Sequence, residues 1–275
     1  MRYRHSPPFS SQDQRISFAW EVLREALERT KAEFGAYEIT ESAMPMVSRR
    51  ELQSMGRDGD RTVTVSLISV SAETDEFAVT PVRIPAMGGL WGYRVFLIPI
   101  DLQARFAKID TIEQLRQISI GQSEYWPDTE ILRSAGLHVV TGEVYDGLFK
   151  MLENGRFEAF SRSVNEVGAE YRLHKEQFPS LSIEKHVLLH YPMPEYFWFP
   201  DDDEGRHLAA RAAKGLQSMV DDGSLCKLVE SAFRADTLEL ALSRRRIIEI
   251  PNPMLGAADH LNEPRYWCSP VGRKR

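Results

Sequence analysis

The sequence is poor in cysteine: its 275 residues include only Cys226 and Cys268. Two thiols cannot build a disulfide scaffold or a zinc site of four thiolates. They leave open one bridge between them or two inert thiols. No apolar run approaches the roughly 18 residues that a membrane-spanning helix needs. Residues 1–14 are polar, include Pro7 and Pro8, and lack the apolar core of a secretory signal. The chain is therefore expected in the cytoplasm, or as a mature form from which a leader has been removed. Surplus positive charge is also missing, since 34 Lys and Arg face 40 Asp and Glu for a formal charge of -6. That balance argues against a nucleic-acid partner, which would meet a basic stripe. Phosphate-loop and dinucleotide glycine patterns and the G-x-S-x-G elbow are absent. No repeat recurs at a solenoid period.

What is present is globular. An apolar share of 43% and a charged share of 27%, with 17 Gly and 15 Pro, exclude collagen-like and wholly disordered chains. The length suits two domain-sized bodies or one large one. Residues 1–14 read as a flexible arm. Ile16, Ala19, Trp20, Leu23, Ala26, Leu27 and Phe34 recur at helical spacing up to Gly35. Strands are predicted at 37–40, 62–70, 93–98, 119–121, 137–140, 157–160, 187–191 and 196–199. Helices are predicted from Pro127, from Tyr145, over 208–220 and over 225–233. Strands and helices alternate between about 110 and 160, which implies mostly parallel sheets covered by helices. Two sheets are expected. The block from about 97 to 190, bracketed by apolar strands, reads as an insertion. The tail beyond 250, rich in Pro and Asn, is expected to wrap the surface.

The histidines offer no H-E-x-x-H pattern. His186 and His190 would share a helix face, but on a strand they stand roughly 13 Å apart and cannot share an ion. No metal and no cofactor is expected. The acidic run from Asp201 to Glu204 reads as a solvated helix start, and Arg244, Arg245 and Arg246 as a solvated strand edge. More suggestive is the stretch 88–94, Gly-Gly-Leu-Trp-Gly-Tyr-Arg. Its glycines permit close approach, Trp91 and Tyr93 supply flat amphipathic surface, and Arg94 supplies a planar fork for a carboxylate. Gln122, Ser123, Tyr125 and Trp126 lie between a strand end and a helix start, where α/β sheets bind ligands. Asp128 and Glu130 share that helix start, which favours a polar or amphipathic ligand over a bare phosphate. Arg162 and Ser163 sit at a similar strand end.

The stretch 110–122, Asp-Thr-Ile-Glu-Gln-Leu-Arg-Gln-Ile-Ser-Ile-Gly-Gln, resembles the T-x-x-x-L-x-x-x-x-I-G-x-Q entry to the second lobe of type II periplasmic solute-binding proteins, family 3. Residues 145–160 resemble that family's L-x-x-G-R-x-D-A helix and strand. Residues 208–229 resemble its M-x-x-D-G-x-x-x-x-L helix pair. The resemblance runs in order from about 16 to 250. It implies an α/β, two-lobed periplasmic-binding-protein-like II fold, each lobe a mixed, mostly parallel sheet flanked by helices, joined by two crossing strands. Lobe one would be 1–96 with 191–275, and lobe two the inserted 97–190. The chain departs from the amino-acid-binding members at both anchors. No Arg stands shortly before the stretch 77–85, and the position of the amine-holding Asp falls at about Ser163.

The expected function is non-enzymatic binding of a small polar solute in the cleft between lobes, for transport or sensing. The ligand-binding candidates are Trp91, Arg94, Gln122, Ser123, Trp126 and Arg162. Trp91 and Trp126 would stack on the ligand from opposite lobes, and Arg94 and Arg162 would hold a carboxylate. The expected partners are a small molecule and a membrane permease or receptor, without nucleic acid. The chain is expected to be a periplasmic monomer. Two alternatives stand beside this reading. One is an enzyme on the same scaffold, dehydratase-like or cell-wall-acting, with Glu124, Asp128 or Glu166 as its acid or base. The other is a cytoplasmic effector-binding domain.

Overall fold

The computed structural model describes residues 1–8 and 17–271. The chain divides into two compact units: Met1–Gly89 with Pro194–Ala232 and Met254–Cys268, and Leu90–Met193 with Phe233–Pro253 and Ser269 onward.

The first unit opens with strand β1 (Arg2–His5), which pairs in parallel with β2 (Glu38–Glu41). Part of the stretch read as a flexible arm is therefore a strand; residues 9–14 of it lie outside the described residues. Tyr3 and His5 face inward, and alternation over only four residues is too short to signal itself. Between these strands run α1 (Ser17–Arg29) and α2 (Lys31–Phe34). Helix α1 buries Ala19, Trp20, Leu23, Ala26 and Leu27 of the stripe read in the sequence, and Phe18 and Val22 besides; Ile16 lies outside the described residues, and Phe34 falls on α2, none of whose residues is buried. Helix α3 (Ser48–Met55) packs Leu52 and Met55 into a cluster with Val63, Ile68, Tyr196 and Trp198. Strands β3 (Ser66–Ser69) and β4 (Val79–Val82) follow. The strand expected from 62 begins only at 66; Val63 and Val65 are buried from a loop.

The second unit begins at Leu90. It contains β5 (Tyr93–Pro99), the short helices α4 (Gln103–Phe106) and α5 (Ile112–Leu115), and β6 (Ser119–Ser123). It continues with α6 (Pro127–Ser134), β7 (His138–Gly142), α7 (Tyr145–Glu153) and β8 (Ala159–Ser163). Helix α8 (Val167–His174), β9 (Leu181–Ile183) and β10 (Val187–His190) complete the run. Thr111 caps α5 with a reciprocal box to Gln114, and Pro127 opens α6 where its missing N–H costs nothing.

The chain returns to the first unit with β11 (Glu195–Pro200), the middle strand of an antiparallel β3-β11-β4 sheet. Asp202 caps α9 (Asp203–Asp221) by accepting from the Gly205 N–H, so the acidic run does start a helix. Arg211 on α9 is fully buried and donates to Leu27 O, Gly35 O and Thr30 Oγ1, tying α9 to the last turn of α1 and the end of α2. Helix α10 (Ser224–Glu239) starts in the first unit and ends in the second. Cys226 and Cys268 form a disulfide within the first unit. It fixes the C-terminal stretch over Gly88, whose φ of +58° and lack of a side chain let Cys268 approach.

Strand β12 (Arg246–Glu249) joins the second unit's sheet, in the order β12-β10-β5-β8-β6-β7 with β9 also on β5. Because β5 and β12 are hydrogen-bonded into this sheet, residues 90–96 and 233–253 sit with the second unit, beyond the boundaries the sequence suggested. Arg245 is buried and ion-paired with Glu184 rather than lying on a solvated edge. Alternation put it opposite Arg246, and the inward face had a carboxylate waiting.

Candidate functional site

Strand direction gathers the candidates. β6 runs parallel to β7 and β8, while β5 runs antiparallel to β8 and β10. The carboxyl ends of β6, β7, β8 and β10 therefore lie at one edge of the sheet, together with the first residues of β5. That edge is where parallel α/β sheets hold ligands. All six candidates belong to it and to the second unit: Trp91 in the turn before β5, Arg94 at its start, Gln122 and Ser123 ending β6, Trp126 before α6, and Arg162 near the end of β8. Trp91 and Trp126 thus share a unit, where opposite lobes were expected.

Register sorts these side chains onto two faces. Arg94 pairs with Ser163 and Phe96 with Ser161, so these four share a face; continuing the β6–β8 register adds Gln122. Val95 pairs with Arg162, Leu97 with Phe160, and Phe160 with Gly121, which defines the other face. Gly121 is required there because a methyl group would collide with the Phe157 ring.

On the first face Arg94 is buried, 3% exposed, and sits in a polar triad. Its Nη2 donates to Asp128 Oδ1 and its Nε donates to Tyr191 Oη at 2.9 Å, while the Tyr191 hydroxyl donates to Asp128. Pro127 starts α6 so that Asp128 falls in its first turn, where a carboxylate is favoured. Burial opposes the charge on Arg94, but Asp128, Tyr191 and Glu166 outweigh it and hold the guanidinium above its ordinary value. Burial drives the Tyr191 phenol well upward, so it stays protonated as a donor.

On the second face Arg162 is 2% exposed. Its Nε and Nη2 grip Glu170 at 2.7 and 2.6 Å, and Nη2 lies 2.9 Å from Glu166. Its guanidinium carbon lies 4.7 Å from the Trp126 ring centre, 5.1 Å from Phe160 and 5.7 Å from Tyr145. The Tyr145 hydroxyl donates to Glu170 at 2.7 Å, and burial raises the pKa of that phenol. Burial opposes the charge on Arg162 as well, but the two carboxylates carry its pKa well above normal.

Both arginines therefore hold carboxylates, as their chemistry suggested, but the carboxylates are the chain's own. The sequence reading missed these partners as ligands of the arginines. A signal existed: Glu166 and Glu170, four residues apart, flank the start of α8 directly after the strand that carries Arg162. Asp128 and Glu166, weighed as acid or base for an enzyme, are both ion-paired here. Ser123 is nearly buried; its carbonyl accepts from Thr129 Oγ1 at 2.7 Å and its Oγ accepts from the Tyr125 N–H at 3.4 Å.

A different set of groups keeps unmet hydrogen-bonding capacity. Among the described residues, both polar atoms of the Gln122 amide, the Ser161 hydroxyl and the Trp91 indole N–H are buried without a partner in the chain. Such groups are rare in folded proteins, and an ordered water or another molecule's polar atoms can meet them; Arg4 Nε, Gln103 Oε1 and His174 Nε2 are further examples. Close by, Tyr93 stacks on His190 with ring centres 4.2 Å apart, and burial lowers the His190 pKa, which favours the neutral ring. Among the described residues no three His, Cys, Asp or Glu side chains gather as metal ligands, and no helix is long and apolar enough to cross a membrane.

No family model and no curated protein matches the sequence. Solved structures do match its fold. An ancestral arginine-binding protein bound to arginine is 16% identical, with a TM-score of 0.53, over 84% of this chain and 97% of that one. An arginine transport-system periplasmic binding protein from Legionella pneumophila is 14% identical, with a TM-score of 0.52, over 84% and 96%. A periplasmic His/Glu/Gln/Arg/opine family-binding protein from Silicibacter pomeroyi, in complex with lysine, is 12% identical, with a TM-score of 0.52, over 84% and 96%. The chain has the α/β periplasmic-binding-protein fold of these solute-binding proteins.

Proposed function

We propose that the chain binds a small polar solute without transforming it, at the carboxyl edge of the second unit's sheet, for transport or sensing. The observation that carries this reading is the set of unpartnered buried groups at that edge, Gln122, Ser161 and the Trp91 indole N–H. In this role the amide and the indole meet the solute's polar atoms, and Trp126 lends an aromatic face. Ser123 shapes the start of α6. Arg94 and Arg162 act through the acids they hold, fixing α6 and α8 beneath the solute. Two of the three acids named for a catalytic alternative, Asp128 and Glu166, are committed to arginines, and the third, Glu124, is exposed, which supports binding over chemistry.

The fold neighbours include proteins named for arginine transport and for periplasmic binding, which supports a solute of that general size and a membrane permease or receptor as partner. The Cys226–Cys268 bridge supports an oxidising compartment, and hence the periplasm over the cytoplasm. The test is thermal unfolding against a panel of amino acids and other small polar metabolites. A saturable rise in Tm is expected with at least one class and is expected to shrink in Gln122→Ala. No stabilisation anywhere in a broad panel would refute the reading.

A further inference from the structure

We infer that Glu166, Glu170, Trp126, Phe160 and Tyr145 form a complete guanidinium-binding site, and that Arg162 is its resident occupant. A site for a planar cation needs three things: paired carboxylate oxygens to meet the fork, aromatic faces over the cation, and exclusion of water. All three are present. Glu170 presents both oxygens to Nε and Nη2 at 2.7 and 2.6 Å, and Glu166 adds a third at 2.9 Å. Three rings stand within 4.7 to 5.7 Å of the guanidinium carbon. The acids themselves are 7% exposed. Tyr145 donates to Glu170 and so fixes the carboxylate that does the gripping.

An ammonium would fill this site poorly. It is compact and strongly hydrated, and it lacks the flat fork that Glu170 is set to receive. The site therefore selects guanidinium over ammonium, and the chain fills it from within. While Arg162 is in place, a guanidinium compound cannot enter. Removing the side chain beyond Cβ opens a site whose missing part is, atom for atom, ethylguanidinium. This inference needs no solute and stands apart from the proposed function.

The experiment is thermal unfolding of the full chain, wild type and Arg162→Ala, in 20 mM ethylguanidinium chloride and in 20 mM ethylammonium chloride. Arg162→Ala is expected to melt below wild type. Ethylguanidinium should raise its Tm by about 3 °C over ethylammonium, with no such difference in wild type. Equal effects of the two cations on Arg162→Ala, or an equal ethylguanidinium effect on both proteins, would overturn the inference. Should Arg162→Ala fail to fold, Arg162→Lys decides the matter. It keeps the charge and loses the fork, so its Tm should fall by several degrees. A Tm equal to wild type would show that any cation suffices and overturn the inference.

Discussion

The Arg94–Asp128 pair allows a double-substitution cycle whose outcome follows from burial. Both side chains are 4% exposed, and the Tyr191 hydroxyl completes the triad. Asp128→Leu leaves a guanidinium buried with Tyr191 and with Glu166 at 3.9 Å. Losing one partner of a buried pair costs about 3 to 5 kcal/mol, because the remaining charge loses its compensation. Arg94→Met strands Asp128 with only the phenol as donor and belongs in the same range. The double variant Arg94→Met/Asp128→Leu removes both charges, so neither is stranded. It should cost less than the two single losses together, with a coupling of about 2 kcal/mol or more. The assay is urea unfolding at neutral pH, followed by a probe in the second unit. The reasoning would be refuted by losses that add to within about 0.5 kcal/mol. The pair would then be no pair energetically, and the rigid edge assigned to α6 would lose its basis.

Further outcomes follow elsewhere in the molecule. Glu51 accepts from the Ser66 hydroxyl, and burial pushes its carboxyl from 4.5 up to about 7. The raised value favours the protonated form in the fold, so its stabilisation is fully present below about pH 4.5 and is lost as pH rises through about 7, amounting to up to about 3 kcal/mol. Glu51→Gln should flatten that part of the stability profile in unfolding curves at pH 5 and 8; an unchanged slope counts against it. Cys268→Ser removes a cross-link spanning 42 residues, which on chain-entropy grounds costs about 4 kcal/mol in denaturant unfolding. Indifference of the wild-type Tm to reductant would contradict this. Gly121→Ala drives a methyl into the Phe157 ring and should cost about 1 to 3 kcal/mol by overpacking, measured by thermal unfolding.

Local chemistry made much of this fold legible. The stripe of α1 repeats with the helix period and Pro127 acts within the first turn of α6, so sequence spacing exposes them. β1 stayed hidden because four residues with a polar exterior carry too little pattern, and its partner β2 lies more than thirty residues on. At the candidate edge, the residue types and strand ends were readable from the turn signals around them. The pairings were not. Whether Arg94 meets a solute or Asp128 depends on strand direction and register, which bring residues 34 apart into one triad. Arg245 teaches the same lesson: alternation turned it inward, and only the tertiary fold supplied Glu184 to receive it.

At the centre stands the proposal that the second unit's strand-end edge holds a small polar solute. Its most direct test is native mass spectrometry of the chain purified without denaturation, then calorimetric titration of the released molecule into wild type, Gln122→Ala and Trp126→Ala. One small polar molecule bound per chain is expected, with affinity reduced about tenfold or more in each variant. A molecule bound with the same affinity by all three proteins would contradict the account.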